Sequence, residues 1–408
     1  MTKSPTPLII LIAVLFFSAV TCDHQSAIDP VPGEPRDLTG PELRLVESDN
    51  AFGMKIFDSI AEAKADSNVF ISPMSIAMAL GMTMNGADGR TYEQMKNALE
   101  FNGLNEEEIN SAFRSLIDLL TDLDPDVIFE IANSIWVRLG YPVLQDFLDV
   151  NQTYFDAEIR ELDFSLAEAV DIINGWIADK THGRIEEVLD RIDPTVVMYL
   201  INAIYFKGTW TYQFDESETV ESQFTLPDGS QVPCEMMRMQ CDLDYFQGPG
   251  FQAVDLPYGN GQFSMTVLLP DPGTTVDDVI QLITPQTWDA WMDSFEETTL
   301  NIGLPRFTLE WEMLLNDILK QLGMVDAFGA GADFSRINPQ GELYISRVIH
   351  KTFVEVNEEG TEAAAVTVVE MREFAAPGMT MNRPFLFVIR EKHSGTLLFM
   401  GKLVDPSS

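Results

Sequence analysis

Nucleophilic or metal chemistry in this chain would have to be built around four histidines (His24, His182, His350 and His393) and three cysteines (Cys22, Cys234 and Cys241). A Ser-His-Asp hydrolase of the α/β type needs a Gly-x-Ser-x-Gly turn to expose its serine, and the sequence has none. Neither His-Glu-x-x-His nor a phosphate-binding P-loop is present. Cys234 and Cys241 have no histidine near them and make a poor zinc pattern. Asp122-x-Asp-x-Asp126 imitates the start of a calcium loop, but Val127 stands where that loop needs glycine and Asn133 where it needs a bidentate glutamate. That motif is rejected. Asn151-Gln152-Thr153 is a glycosylation sequon of little weight. The sequence predicts no enzyme, no metal and no cofactor.

A different stretch is built to be acted upon. Glu358 to Ala376 has a single glycine, Gly360, near its start and no proline before Pro377. Connecting loops are normally punctuated by Gly, Pro, Asn or Asp. Here a run of small residues is followed by β-branched ones. Thr361, Ala363, Ala365, Thr367 and Val369 would share one face of a strand, and none is charged. Glu362, Ala364, Val366 and Val368 would form the other face. The patterns at Leu343–Asn357 and Arg383–Arg390 on either side are also strands. The segment is therefore either an ordinary third strand or a loop able to become one.

Glu358-Glu359-Gly360-Thr361-Glu362-Ala363-Ala364-Ala365 resembles the hinge of the reactive centre loop in serpins, the serine protease inhibitor family. Some twenty residues on, Asn382-Arg383-Pro384-Phe385-Leu386-Phe387 and then Leu398-Phe399-Met400-Gly401-Lys402 resemble that family's C-terminal motif. Similar stretches lie at Asn68–Pro73 through Gln94-Met95, at Ala132–Val137 and at Leu200–Trp210, so the resemblance runs from about Leu45 to Asp405. It implies an α+β serpin fold: three β-sheets with a large central one, eight or nine helices, and an exposed loop at about 358–381. It also implies an irreversible, suicide-substrate inhibitor of serine or cysteine proteases. A protease attacks the loop, and the cleaved loop inserts into the central sheet before the acyl-enzyme is hydrolysed. Thr361 to Phe374 is long enough for this, about 46 Å at ~3.3 Å per residue. The alternative is a non-inhibitory binding, chaperone, carrier or storage protein on the same fold.

The resemblance assigns roles residue by residue. Ser72, Ser75, Asn202 and His350 match the shutter cluster beneath the sheet, although His350 also reads as a satisfied core histidine. Trp210 matches the breach tryptophan, where the loop goes in. Arg306 matches a basic partner for Glu358, in a pair worth little if it lies at the surface. Counting from the hinge places the scissile bond at Phe374–Ala375, whereas counting back from Pro384 gives Glu373–Phe374. Phe374 suits a chymotrypsin-like, subtilisin-like or cathepsin-like protease, and Arg372 would suit a trypsin-like one.

Ordinary elements must position these residues. Phe52, Ile56, Phe57 and Ile60 recur at helical spacing over Asn50–Ala63. Pro73 is able to open a helix over Ser75–Asn85 that is apolar nearly all round. Helical patterns also cover Leu104–Thr121, Ile172–Thr181, Val276–Ile283 and Leu314–Leu322. Phe129–Val137 alternates as a strand, Val196–Phe206 is a continuous apolar strand holding Asn202, and Cys234–Pro270 is a series of strands.

At 408 residues and 46% hydrophobic the chain can bury a large core, and residues 45–408 are expected to form one domain. Residues 1–22 form an export signal, too short for a confident membrane span. Cys22 is a lipidation candidate, with Ala19 three residues before it where leucine is usual. Residues 23–44, with Pro30, Pro32, Pro35 and Pro41, read as a flexible tether. The expected protein is a prokaryotic, exported monomer, either secreted or held at the cell envelope by a lipid. In that setting Cys234 and Cys241 either pair or remain separate thiols. The formal charge of −39 argues against nucleic acid, heparin-like polyanions and acidic lipid as partners.

Overall fold

The structure, a computed structural model, describes residues 35–121, 123–361 and 377–407. Helix α1 (Gly40–Ala63) opens with a capping box in which the Thr39 amide donates to the Glu42 carboxylate at 2.6 Å. Glu42 also pairs with Arg36 at 2.5 Å, so the expected tether over residues 23–44 gives way to anchored structure before its end. After strand β1 (Val69–Ile71), Ser72 caps α2 (Pro73–Met84), whose proline sits in the first turn. Next come α3 (Gly89–Ala98), α4 (Glu106–Thr121), β2 (Val127–Arg138), α5 (Gln145–Phe155), β3 (Glu158–Leu162), α6 (Glu168–Lys180) and β4 (Met198–Thr209). Four strands follow: β5 (Val220–Thr225), β6 (Gln231–Gly248), β7 (Phe251–Tyr258) and β8 (Phe263–Pro270). Helices α7 (Val276–Ile280) and α8 (Pro285–Met292) lead to β9 (Glu296–Pro305), β10 (Phe307–Leu314), α9 (Asn316–Gln321) and β11 (Ile349–Val356). The chain closes with β12 (Gly360–Thr361), β13 (Gly378–Thr380), β14 (Phe385–Glu391) and β15 (Leu397–Leu403). Among the described residues no helix is long and apolar enough to cross a membrane.

The described strands form three sheets. The nine-stranded sheet runs β1-β15-β14-β8-β7-β6-β9-β13, with β5 also on β6. A four-stranded sheet runs β12-β4-β2-β3, and β10 with β11 makes a two-stranded one. Helix α2 is buried on nearly every side because it lies against both β4 and β15, between two sheets. Within the nine-stranded sheet, Phe70 of β1 stacks on Phe387 of β14 and Phe399 of β15. A second, smaller core under α6 gathers Trp136, Ile173, Ile177, Ile185, Leu189 and Ala203.

The strand expected over Leu343–Asn357 is paired only from Ile349 onward. Its partner β10 ends opposite Ile349 at Leu314, and the chain then turns into α9. Residues 343–348 are held by loop contacts instead, with the Asn316 carboxamide accepting from the Val348 amide and donating to the Ser346 carbonyl, both at 2.8 Å.

Two side issues are settled by placement. Cys234 and Cys241 both lie in β6, about 23 Å apart at ~3.3 Å per residue, so they cannot pair and are free thiols. Asn151 is fully buried, accepting from Asn85 and donating to the Phe147 carbonyl, so its sequon is closed in the folded chain.

Candidate functional site

Strands β4 and β11 stand next to each other without pairing. Along β4, Val127↔Gly208 through Val137↔Met198 pair with β2, and β11 pairs with β10 on its far side. Among the described residues the other edge of β4 has a strand partner only at Gly208 and Thr209. Between the two strands lies a cavity of about 690 Å³, lined by β4 from Met198 to Ile204 and by residues 341–352. It forms a slot along the edge of β4.

At the head of the slot the chain turns back from β11. The Asn357 amide donates to the Gly360 carbonyl at 3.0 Å and the Gly360 amide to the Asn357 carbonyl at 3.3 Å, a hairpin with Glu358 and Glu359 at its tip. Gly360 has φ +151°, and a Cβ there would stand 2.1 Å from the Gly208 carbonyl oxygen. Glycine is required on both counts. Thr361 then pairs with Gly208 and is buried, so the first two residues after the turn already sit on the edge of β4.

The hinge is clamped by Trp210, Thr219 and Arg306, three side chains far apart in the sequence. Glu358 is 3% exposed and accepts from Arg306 Nε at 3.1 Å, from Arg306 Nη2 at 2.6 Å and from Thr219 Oγ1 at 2.6 Å. Burial alone would raise the Glu358 pKa, but the hydrogen bonds from Arg306 and Thr219 overcome it and hold the carboxyl below its ordinary value. Arg306 also reaches Glu235 at 2.8 Å. This is no weak surface pair, because one partner is desolvated and bound at both oxygens. Trp210 donates its indole N–H to the Asn357 carbonyl at 3.0 Å and its amide to the Glu359 carbonyl at 2.9 Å. Trp210, Arg306 and Glu358 are thus brought together at the head of the slot.

Ser72, Ser75, Asn202 and His350 all line the slot. The Ser72 amide donates to His350 Nε2 at 3.0 Å, and the Ser72 hydroxyl oxygen accepts from the Ser75 amide at 3.3 Å. Burial pushes the His350 pKa down to about 3, so the ring is neutral, and Nε2 bears the lone pair that Ser72 uses. Across the slot, Asn202 donates to Asn133 Oδ1 at 2.8 Å, while its own Oδ1 is buried with no hydrogen-bond partner among the described residues. The slot thus keeps an unmet acceptor in its wall.

Tyr258 at the end of β7 was not evident from the sequence. It is fully buried and stacks on Trp210, with ring centroids 4.3 Å apart and planes at 11°, and its hydroxyl lies 2.8 Å from Thr361 Oγ1. A Cβ on Gly208 would come within 2.7 Å of its ring. No residue spacing signals a contact across 103 positions.

Several expected site residues lie outside the described residues: Glu362, Ala363, Ala364 and Ala365 of the hinge, Arg372, Glu373, Phe374 and Ala375 around the cleavage bond, and Cys22. Among the described residues no group of three His, Cys, Asp or Glu is placed to hold a metal ion.

Comparison with known proteins agrees with this geometry. The chain is 32% identical to human neuroserpin over 384 residues, covering 91% of this chain and 93% of that protein. It is 36% identical to human serpin B9 over 375 residues, 89% of this chain and 99% of that one. Among solved structures it is similar to the thermophilic serpin tengpin in its native state, with TM-score 0.81, 31% identity, and 93% and 97% of the two chains covered. It is also similar to human thyroxine-binding globulin in complex with its hormone, with TM-score 0.82, 27% identity, and 90% and 99% covered. The family profile described as serpin (serine protease inhibitor) matches residues 47–406. The chain belongs to the serpin family.

Proposed function

We propose that the protein is an irreversible, suicide-substrate inhibitor of serine or cysteine proteases. The observation that supports this reading is the slot: a cavity along β4 whose edge, among the described residues, is paired only at Gly208 and Thr209, joined at its head to a hinge whose first two residues are already seated. In the proposed reaction the nucleophile of the protease attacks the carbonyl carbon of Phe374. The bond to Ala375 breaks, its nitrogen leaves as an amine carrying the transferred proton, and the protease stays joined to the chain by an ester (serine) or thioester (cysteine). Zippering of the freed segment into the slot then carries the acyl-enzyme away before water resolves it.

Two registers support a specific fit. Thr361 faces Gly208, so six residues further along each strand Thr367 would face Asn202. Asn357 faces Gly360 in the hairpin, so seven residues along each arm Thr367 would also face His350. Both neighbouring strands therefore bring Thr367 to the level of the shutter. Side chains alternate, so Thr367 would point inward as Thr361 does, and its hydroxyl would be able to donate to the orphaned Asn202 Oδ1.

The same reading takes residues 1–22 as an export signal and Cys22 as a lipid-anchor candidate of a prokaryotic member, ahead of a single inhibitory domain from residue 45. A second reading, a carrier on the same fold, has the similarity to thyroxine-binding globulin in its favour. Mixing the purified chain with chymotrypsin, subtilisin and trypsin separates the two. Inhibition gives a complex that survives denaturation, with release of a peptide beginning at Ala375. Cleavage without any such complex favours the carrier.

A further inference from the structure

We infer that Tyr258 is a positioning residue that fixes the register in which the loop enters the sheet. This inference rests on the inhibitory reading above and adds to it the group that guides the first step. Tyr258 belongs to the nine-stranded sheet, outside the strands that must part, so it is a fixed mark against which a moving strand can be set. Its ring has little freedom. Trp210 stacks on one side, Phe206 meets it edge-on at 5.2 Å, and the ring fills the space that a side chain on Gly208 would need. Burial pushes its phenol pKa up, so the O–H proton stays on and is available to Thr361.

Thr361 is the residue on which register depends. It is the first residue past the glycine to carry a side chain, and that side chain faces inward opposite Gly208. A slip of one residue would turn Glu362 inward and send every small residue of the hinge to the outer face. The hydroxyl pair Tyr258–Thr361 opposes that slip, because only a polar side chain in this register satisfies the buried phenol. The pair also keeps the hinge seated on β4, so insertion elongates an existing pairing and need not nucleate one. The race between insertion and deacylation is then decided with the nucleus already formed.

The test compares Tyr258→Phe, Thr361→Val and the double variant with the unaltered chain, using chymotrypsin. Each single change keeps the ring stack or the β-branch and removes one hydroxyl. The expected result is a rise of roughly two- to tenfold in the moles of inhibitor consumed per mole of protease trapped. The rate of initial acylation should be unchanged, and the double variant no worse than either single one. Thr361→Ser, which restores a hydroxyl, should return the stoichiometry to that of the unaltered chain. A merely structural role would lower stability without moving this ratio. Unchanged stoichiometry in both single variants, or effects that multiply in the double variant, would overturn the assignment.

A parallel measurement works without inhibition: the rate at which the loop-cleaved chain becomes heat-resistant. Slowing by the same factor in Tyr258→Phe supports the assignment even if no protease is trapped, and an unchanged rate overturns it. Failure of the unaltered chain to trap any protease counts against the inhibitory reading alone.

Discussion

His350 shows how one buried side chain ties stability to pH. In the unfolded chain an imidazole protonates below its ordinary value of 6.5, whereas in the fold burial holds the pKa down to about 3. Between those values the unfolded state binds the extra proton, so the contribution of a neutral His350 is complete above about 6.5 and is lost as pH falls toward 3. Glu358 acts in the same direction over a lower range. Its carboxyl is held below the ordinary 4.5, so its contribution is lost only as the pH drops past that value. The His350 contribution should therefore pull the urea midpoint down as pH falls below about 6.5, against that of buried Asp49, whose pKa burial raises to about 7 and which acts in the opposite direction. In His350→Gln, whose amide oxygen can still accept from Ser72, the fall between pH 6.5 and 4.5 should be smaller. An identical fall in both proteins would mean that His350 protonates as readily in the fold as outside it.

Among the elements, β12 is two residues long and pairs with the edge of β4, and α6 leads into a strap that lines the slot. Thr367→Val tests the register that β12 begins. The variant keeps the β-branch but leaves Asn202 Oδ1 without a donor, which should remove about 1–3 kcal/mol from the stabilisation gained on loop insertion. It should leave the melting of the intact chain unchanged. A full gain in the variant would show that Thr367 does not reach Asn202. The strap, residues 181–196, is tied to both sides of the slot. His182 meets Glu130 of β2 at 2.8 Å and lies over Tyr205 of β4. On the other side Arg184 pairs with Glu355 at 3.4 Å and covers the Phe353 ring, and Lys351 donates to the Glu187 carbonyl at 3.0 Å. Ile185, Val188 and Leu189 of the strap line the slot, so a strand entering it would pass beneath them. Arg184→Ala, at a half-exposed position, should speed spontaneous conversion of the intact chain to a heat-resistant, inactive form several-fold on warming. Heat resistance followed over hours measures this, and an unchanged rate would show that Arg184 is no restraint.

At the scale of the whole molecule, the slot-side edge of β4 has, among the described residues, a strand partner only at Gly208 and Thr209. Strands β4 and β11 offer backbone groups on both sides, and each net hydrogen bond to a new strand would contribute on the order of 1 kcal/mol. The native chain is therefore expected to be metastable relative to its loop-inserted form. Much of this was legible in the sequence where periodicity and burial agree. The all-round apolar α2 and the run of β4 are examples, whereas the hinge from Glu358 to Thr361 was legible only through its resemblance to the family's motif. Helices α3, α5 and α8 escaped notice because each buries only two or three side chains, such as Trp288 and Trp291 in α8, so no stripe stands out. The slot itself was hidden because the sequence of a strand does not record whether its edge is paired. The strand expected at 343–348 failed for a related reason, since the turn that ends its partner is specified some thirty residues away.

Melting of the intact chain against the same chain cleaved once in its loop tests the central claim most directly. If the slot between β4 and β11 is built to take up the loop, the cleaved chain will melt far above the intact one. Equal melting temperatures, with cleavage shown to be complete, would mean that the slot does not accept the strand and would contradict the account.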